Sequence, residues 1–280
     1  VNADYDKATS KDLLYSVAVP AEAGATNETV TMNAATMQNS GIEFAASYHN
    51  YDHELKYDVS ANISHNANKV ISLGVNGEAR NDGYTRTEVG KEVGRFYGYV
   101  SEGIFQNQDE IDNRVNSEGK YVIQNGAQPG DIAYKDINND GKITADDRTF
   151  LGSGMPKINY GFSFRLEYKG FDLNVATYGA AGFKVLDFVD MTLHQSYGTT
   201  NKSVDMLKAW TPENTSTNIP RVAYKSNGDI TNDLFSQRFL QNGNYWKIAN
   251  VEFGYNFNDE LFRGIVSGVR VYLSAQNLAT

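Results

Sequence analysis

The chain has 280 residues, 40% of them hydrophobic, with a net charge of −9 and a pI near 5.0. That acidity argues against a nucleic-acid binder, which needs a basic surface to neutralise phosphates. The absence of cysteine removes disulfide frameworks, zinc–thiolate sites and thiol nucleophiles, and no apolar run reaches the ~18 residues of a transmembrane helix.

A membrane β-barrel survives these exclusions. Its strands show lipid only every second residue, so the average composition stays polar. The mean hydropathy of −0.49 fits that pattern. Tyrosine outnumbers phenylalanine, 18 to 14, which suits rings placed at a polar boundary. It also suits a carbohydrate-contacting surface.

In chain order, VNADYDKATS carries no secretory leader and the chain ends in QNLAT, a strand tail. Both ends read as cut, and a fragment is expected. Asp12–Pro20 predicts a short strand closed by proline, and residues 21–40 a long polar loop. Ile42, Phe44, Ala46 and Tyr48 then share one face of a strand, Tyr51-Asp52-His53 makes a turn, and LKYDVSANISH returns. Its apolar face holds Leu55, Tyr57, Val59, Ala61 and Ile63; its polar face holds Lys56, Asp58, Ser60, Asn62 and Ser64. Alternation over about ten residues is the length that crosses a bilayer as a tilted strand.

Residues 74–94 read as a loop, Arg95–Phe105 as an aromatic stretch broken by Gly98 and Gly103, and QDEIDNRV as a helical turn or a loop. A second long hairpin follows. INYGFSFRLEY alternates Ile158, Tyr160, Phe162, Phe164, Leu166 and Tyr168 with polar or small residues. FDLNVATYG does the same with Phe171, Leu173, Val175 and Thr177, across the tight-turn pair Lys169-Gly170. Residues 180–240 read as one long excursion with a short helix around Val204–Trp210. Long excursions at one end and tight turns at the other mark outer-membrane barrels. NYWKIANVEFGYNF and GVRVYLSAQNL predict two further strands joined by the short NDELFRGIVS.

Between them lies the candidate site. DINNDGKITADD, residues 136–147, has calcium-loop spacing. Asp136, Asn138 and Asp140 supply oxygens at positions 1, 3 and 5, Gly141 the sharp turn, and Lys142 a backbone carbonyl. Ile143 anchors the loop, Thr144 acts through water, and Asp147 closes it where an EF-hand has Glu. An Asx-rich turn without metal is the other reading; a structural Ca2+ serves to brace the loop rather than to catalyse. His49, His53, His65 and His194 lack metal-ligand spacing. No G-x-S-x-G, phosphate loop or H-E-x-x-H occurs, so an enzyme is not expected.

DLLYSVAVPAEAG, NAATMQNSGIEFAASY, GRFYGYVSEGIFQNQDEID and PGDIAYKDINNDGKITADDRTFLGSGMPKINYGFSF continue into YKGFDLNV, AWTPENTSTNIPR, SQRFLQNGNYWKIANVEFGY and VRVYLSAQNL. In this order they resemble the SusC/RagA-type TonB-dependent outer-membrane transporters of Bacteroidetes over nearly the whole chain. The resemblance implies an all-β fold, the C-terminal part of a large antiparallel barrel of about 22 strands with long extracellular loops. Residues 1–280 would lack the plug domain and the first and last strands. It further implies uptake of a glycan or peptide, a SusD-like lipoprotein partner, TonB coupling through the missing N-terminal part, and outer-membrane lipid around the strands. The rival reading is a secreted, calcium-stabilised β-sandwich that binds carbohydrate. The two differ in what covers the apolar strand faces.

Overall fold

Alternating side chains and Gly-bearing turns resolve into long antiparallel strands in the computed structural model, which describes residues 1–18, 29–74, 77–195, 201–222, 232–257 and 268–280. Strands β1 (Asn2–Ala18), β2 (Thr29–Asn50) and β3 (Leu55–Leu73) come first. Short strands β4 (Arg80–Asp82), β5 (Thr85–Thr87), β6 (Arg95–Gly98) and β7 (Ser101–Ile104) follow. Helix α1 (Gln108–Asp112), β8 (Ile132–Tyr134) and β9 (Thr149–Gly152) complete the first excursion. The second hairpin is β10 (Ile158–Tyr168) and β11 (Phe171–Ala181). After it come β12 (Lys184–Leu186), α2 (Phe188–Leu193), β13 (Leu240–Asn242), β14 (Tyr245–Phe257) and β15 (Val269–Ala279).

Among the described residues, seven strands form one antiparallel sheet in the order β1-β2-β3-β10-β11-β14-β15. The β10–β11 hairpin forms as predicted, with β10 at the expected bounds and β11 two residues longer than the expected 171–179. Lys169 and Gly170 both take positive φ, 48° and 85°, the two-residue turn whose twist matches that of the strands. This turn and residues 51–54 lie at one end of the sheet. The long connections 74–157 and 182–244 leave from the other, as the barrel pattern requires.

Several expectations need correcting. Residues 29–40, read as a loop, belong to β2, while 21–28 lie outside the described residues. The alternation of Val30, Met32 and Ala34 changes face at Ala35 and is not sustained, and the run is held by ladder bonds to β1, joined by β3 from Ala35 on. Of the short strand expected over 12–20, residues 12–18 are the end of the longer β1, which is bulged between Ser10 and Leu13 with Asp12 at φ 57°, and 19–20 lie outside the described residues. Loop 74–94 contains the β4–β5 hairpin. The expected helix near Val204–Trp210 is a 3-10 turn, Val204–Lys208, and α2 lies in a stretch read as irregular. QDEIDNRV does form one short helix, capped by Asn107. The connection 258–267 lies outside the described residues.

The excursions fold onto their own small core of Tyr99, Val122, Ile132, Tyr134 and Ile143, flanked by Leu234. A second cluster, Ala35, Val70 and Leu73 with Val93 against it, ties the loops to the far ends of β2 and β3.

Candidate functional site

Register turns the alternation of single strands into two continuous faces. Tyr48, Val59, Phe164, Val175, Val251 and Ala275 stand side by side across six strands. A neighbouring row runs Tyr57, Leu166, Leu173, Phe253 and Leu273. Large apolar groups on this face are open to the surroundings: Phe253 is 50% exposed and Leu273 77%. Such a surface far exceeds the scattered apolar residues of a water-soluble monomer. Among the described residues no second sheet covers it.

At the tight-turn end, rings gather on the same face. Phe171 lies 4.6 Å from Tyr255 and 5.8 Å from Phe253, Tyr255 lies 4.9 Å from Phe257, and Tyr48 lies 5.8 Å from Tyr57, centroid to centroid. An aromatic girdle at a membrane interface has this composition, because the rings tolerate the mixed polarity there.

The opposite face is polar. One row reads Ser47, Ser60, Ser163, Ala176, Asn250 and Gln276; the next reads His49, Asp58, Arg165, Asn174, Glu252 and Ser274. Ser60 and Ser163 share a hydrogen bond of 2.6 Å. Arg270 on β15 reaches across β14 to buried Asp172 on β11, donating at 3.1 and 2.5 Å, and also holds Glu252 at 2.5 Å. Gly254 lies in the path: a Cβ there would stand 2.7 Å from Asp172 Oδ2 and 2.8 Å from Arg270 Nη2. Gly254 is thus the gap that lets an ion pair span three strands.

The acidic loop sits in the excursion, away from the sheet. Ile143 is 3% exposed within the loop core, the anchor predicted for it. Gly141 has φ 86°, and a Cβ there would meet Tyr121 O at 2.8 Å, so only glycine makes this turn. Asp147 is fully buried. Its Oδ1 accepts from Ile137 N at 2.8 Å and its Oδ2 from Thr144 N at 2.7 Å, completing a capping box with Thr144. Asn138 Oδ1 accepts from Asp140 N at 2.9 Å, and Asp140 Oδ1 from Lys142 N at 2.8 Å.

Asp136 differs from these. Its Oδ2 accepts from Asn116 Nδ2 at 2.8 Å and Gly141 N at 3.0 Å, whereas its buried Oδ1 has no hydrogen-bond partner. Burial pushes this carboxyl up. Hydrogen bonds from Asn116 and from the backbone of Gly141, Asn139 and Asp140 outweigh it and hold the group below the usual carboxylate range. An anionic, buried, part-unsatisfied oxygen suits a hard cation. Asp147, by contrast, is turned to backbone amides. Among the described residues no three His, Asp or Glu side chains converge as a metal cluster.

No family model matches the sequence. The chain is 28% identical over 288 aligned positions to TonB-dependent receptor P3 of Formosa agariphila, covering 99% of this chain and 27% of that protein. It is 24% identical to TonB-dependent receptor SusC of Bacteroides thetaiotaomicron, covering 95% and 25%. The RagAB peptide importer in its closed-closed state superposes with a TM-score of 0.75 at 23% identity, covering 99% of this chain and 29% of that one. In its open-open state the score is 0.72. The chain thus spans little more than a quarter of the length of these relatives. The resemblance to SusC/RagA-type TonB-dependent transporters holds over nearly all of it, and with it the antiparallel β architecture and the outer-membrane setting.

Proposed function

We propose that this chain forms part of the wall of an outer-membrane, TonB-dependent importer of a nutrient, a glycan or oligosaccharide in the first instance. The two-faced sheet carries the reading. One face is a continuous apolar surface with an aromatic girdle, fit for lipid; the other is a polar surface bridged by ions, fit for a water-filled or plugged interior. A β-sandwich needs its apolar face packed on a second sheet, and the rows through Phe164 and Phe253 meet none among the described residues. In this reading the role is transport, which the likeness to TonB-dependent receptors supports.

The long connections all leave one end of the sheet and so face outward in this reading. There they would meet a SusD-like surface lipoprotein that captures the nutrient, while TonB would act through a segment outside this chain. The likeness to a peptide importer keeps peptide as the second cargo. Loss of labelled-glycan uptake in a strain lacking the receptor, with recovery of the lipoprotein alongside the tagged receptor, is the expected result. Unchanged uptake of both glycans and peptides contradicts the reading.

We further propose that Asp136, Asn138, Asp140, the Lys142 carbonyl and Asp147 hold a structural Ca2+ that braces the outward loop. The unpartnered Asp136 Oδ1 supports it; the Asp147 oxygens, which accept the N–H groups of Ile137 and Thr144, would close the site through their remaining lone pairs. Chelation should raise protease sensitivity within residues 130–150 and leave the strands intact. Identical cleavage with and without chelator contradicts a bound ion.

A further inference from the structure

Beneath the excursions lies a cavity of about 1180 Å³ whose walls come from β7, α2, the 3-10 turn at Val204–Lys208, residues 214–219 and the segment around Arg238. These pieces are far apart in sequence and are fixed by specific bonds. The Gln237 side chain clamps the Ser101 backbone, accepting from its N–H and donating to its carbonyl, each at 2.8 Å. The N–H of Asp187, the cap of α2, donates to Phe239 O at 3.0 Å. Asn214 Nδ2 closes its turn by donating to Lys208 O at 2.9 Å, and Trp210 N donates to Ile219 O at 2.9 Å. The cavity is therefore built into the fold of the loops.

Its charged groups are not all in contact with one another. Each carboxylate facing the cavity has a nitrogen partner: Asp190 pairs with His194 Nδ1 and Asp205 with Lys208 Nζ, both at 2.8 Å. Arg238 makes no ion pair among the described residues. It is half-buried, its Nη2 donates to Asn218 O at 3.3 Å, and its guanidinium lies 5.3 Å from the Phe239 ring centroid. That ring and the backbone contact orient the fork; the Asp190 and Asp233 carboxylates act on it from beyond ion-pair distance, and a planar fork with no carboxylate in direct contact is suited to receive one. The neighbouring wall, Asn214 to Asn218, offers hydroxyls and amides. None of the lining residues is Phe, Tyr or Trp, so the site lacks the broad ring platform that a neutral sugar stacks on.

We propose that this cavity is a substrate pocket for a hydrophilic chain bearing a carboxylate, with the carboxylate on Arg238 and the chain's hydroxyl or amide groups along residues 214–218. The proposal rests on the uptake reading and narrows its cargo. The carboxylate has two sources, a uronate unit of an oligosaccharide or the terminus of a peptide.

The test is isothermal titration of the purified full-length receptor with trigalacturonate and with a Ser-Ala tetrapeptide, each beside its methyl ester or amide. One acid probe binds, and its neutralised form binds about tenfold or more weakly, as does the acid to Arg238→Gln. Which acid binds identifies the source. If Arg238→Gln fails to fold, the ester and amide comparison on the unaltered receptor decides. Binding of neither acid at millimolar concentration, or equal binding of acid and neutral forms, overturns the pocket. Titration needs no transport. A receptor that fractionates with the outer membrane but binds no acid probe loses only this pocket, and one that binds the probe but lies outside the membrane loses the uptake reading instead.

Discussion

Placing one charge on either side of a single strand tests the faces directly. Phe164 stands near the middle of β10, flanked by Val59 and Val175 in the apolar row. Ser163, one residue away, points to the polar face and bonds Ser60 at 2.6 Å. Phe164→Arg sets a guanidinium against lipid near the bilayer midplane, at a cost of about 2–4 kcal/mol. Ser163→Arg loses one hydroxyl hydrogen bond, about 1 kcal/mol, and its new charge finds Asp58 and Glu252 on the neighbouring row of the same face. The expected gap of about 1–3 kcal/mol is roughly 5- to 150-fold in the unfolding equilibrium. Urea unfolding of the full-length receptor refolded in phospholipid vesicles measures both variants against the parent. If Ser163→Arg destabilises as much as Phe164→Arg, the assignment of faces is wrong.

Other outcomes follow from the loops. Asp147→Ala leaves the N–H groups of Ile137 and Thr144 without acceptors and should loosen the loop locally by about 1–3 kcal/mol; hydrogen exchange should speed up at those amides and not in β10 or β11. Gly130 has φ 91° and abuts the Trp210 ring, so Gly130→Ala should displace that indole from its 2.9 Å bond to Gln106 and shift tryptophan emission. The Asp136 carboxyl titrates below its ordinary value when folded. The unfolded chain therefore binds its proton first as pH falls, so this group's contribution is complete above about pH 4–5 and is lost below, through the depressed folded pKa. Exchange protection of the 136–147 loop should be flat from pH 7 to 5 and drop in more acid solution in the parent, and the acid drop should be smaller in Asp136→Asn.

How much of this was legible in the sequence depends on what surrounds each stretch. Ile158–Tyr168 and Phe171–Gly179 were readable, because lipid on one side and water on the other impose a strict period of two, and Gly170 marks the turn; β11 runs two residues further, to Ala181. Residues 29–40 were not. There β2 has left the level of the apolar rows, the short Val30-Met32-Ala34 alternation changes face at Ala35, and hydrogen bonds to β1, and from Ala35 on to β3, define it as a strand. Bulges near Thr36 and Met37 also break the alternation. In the acidic loop, the Gly141 turn and the Ile143 anchor could be read from spacing. The turning of Asp147 toward amides could not, since the spacing leaves its acceptors open. Arg238 and the cavity were invisible for a different reason: Ser101 and Gln237 meet across 136 residues, and no local pattern announces such a meeting.

The central claim is that the apolar rows face lipid. Spin labels at Val59 and Phe253 on that face, and at Ser60 and Glu252 on the other, can be read in outer-membrane preparations by collision with oxygen and with a water-soluble nickel complex. The account predicts high oxygen and low nickel access at Val59 and Phe253, and nickel access at Ser60 and Glu252 wherever no plug covers them. Low access to both reagents at Val59 and Phe253, the signature of a packed protein core, would contradict it.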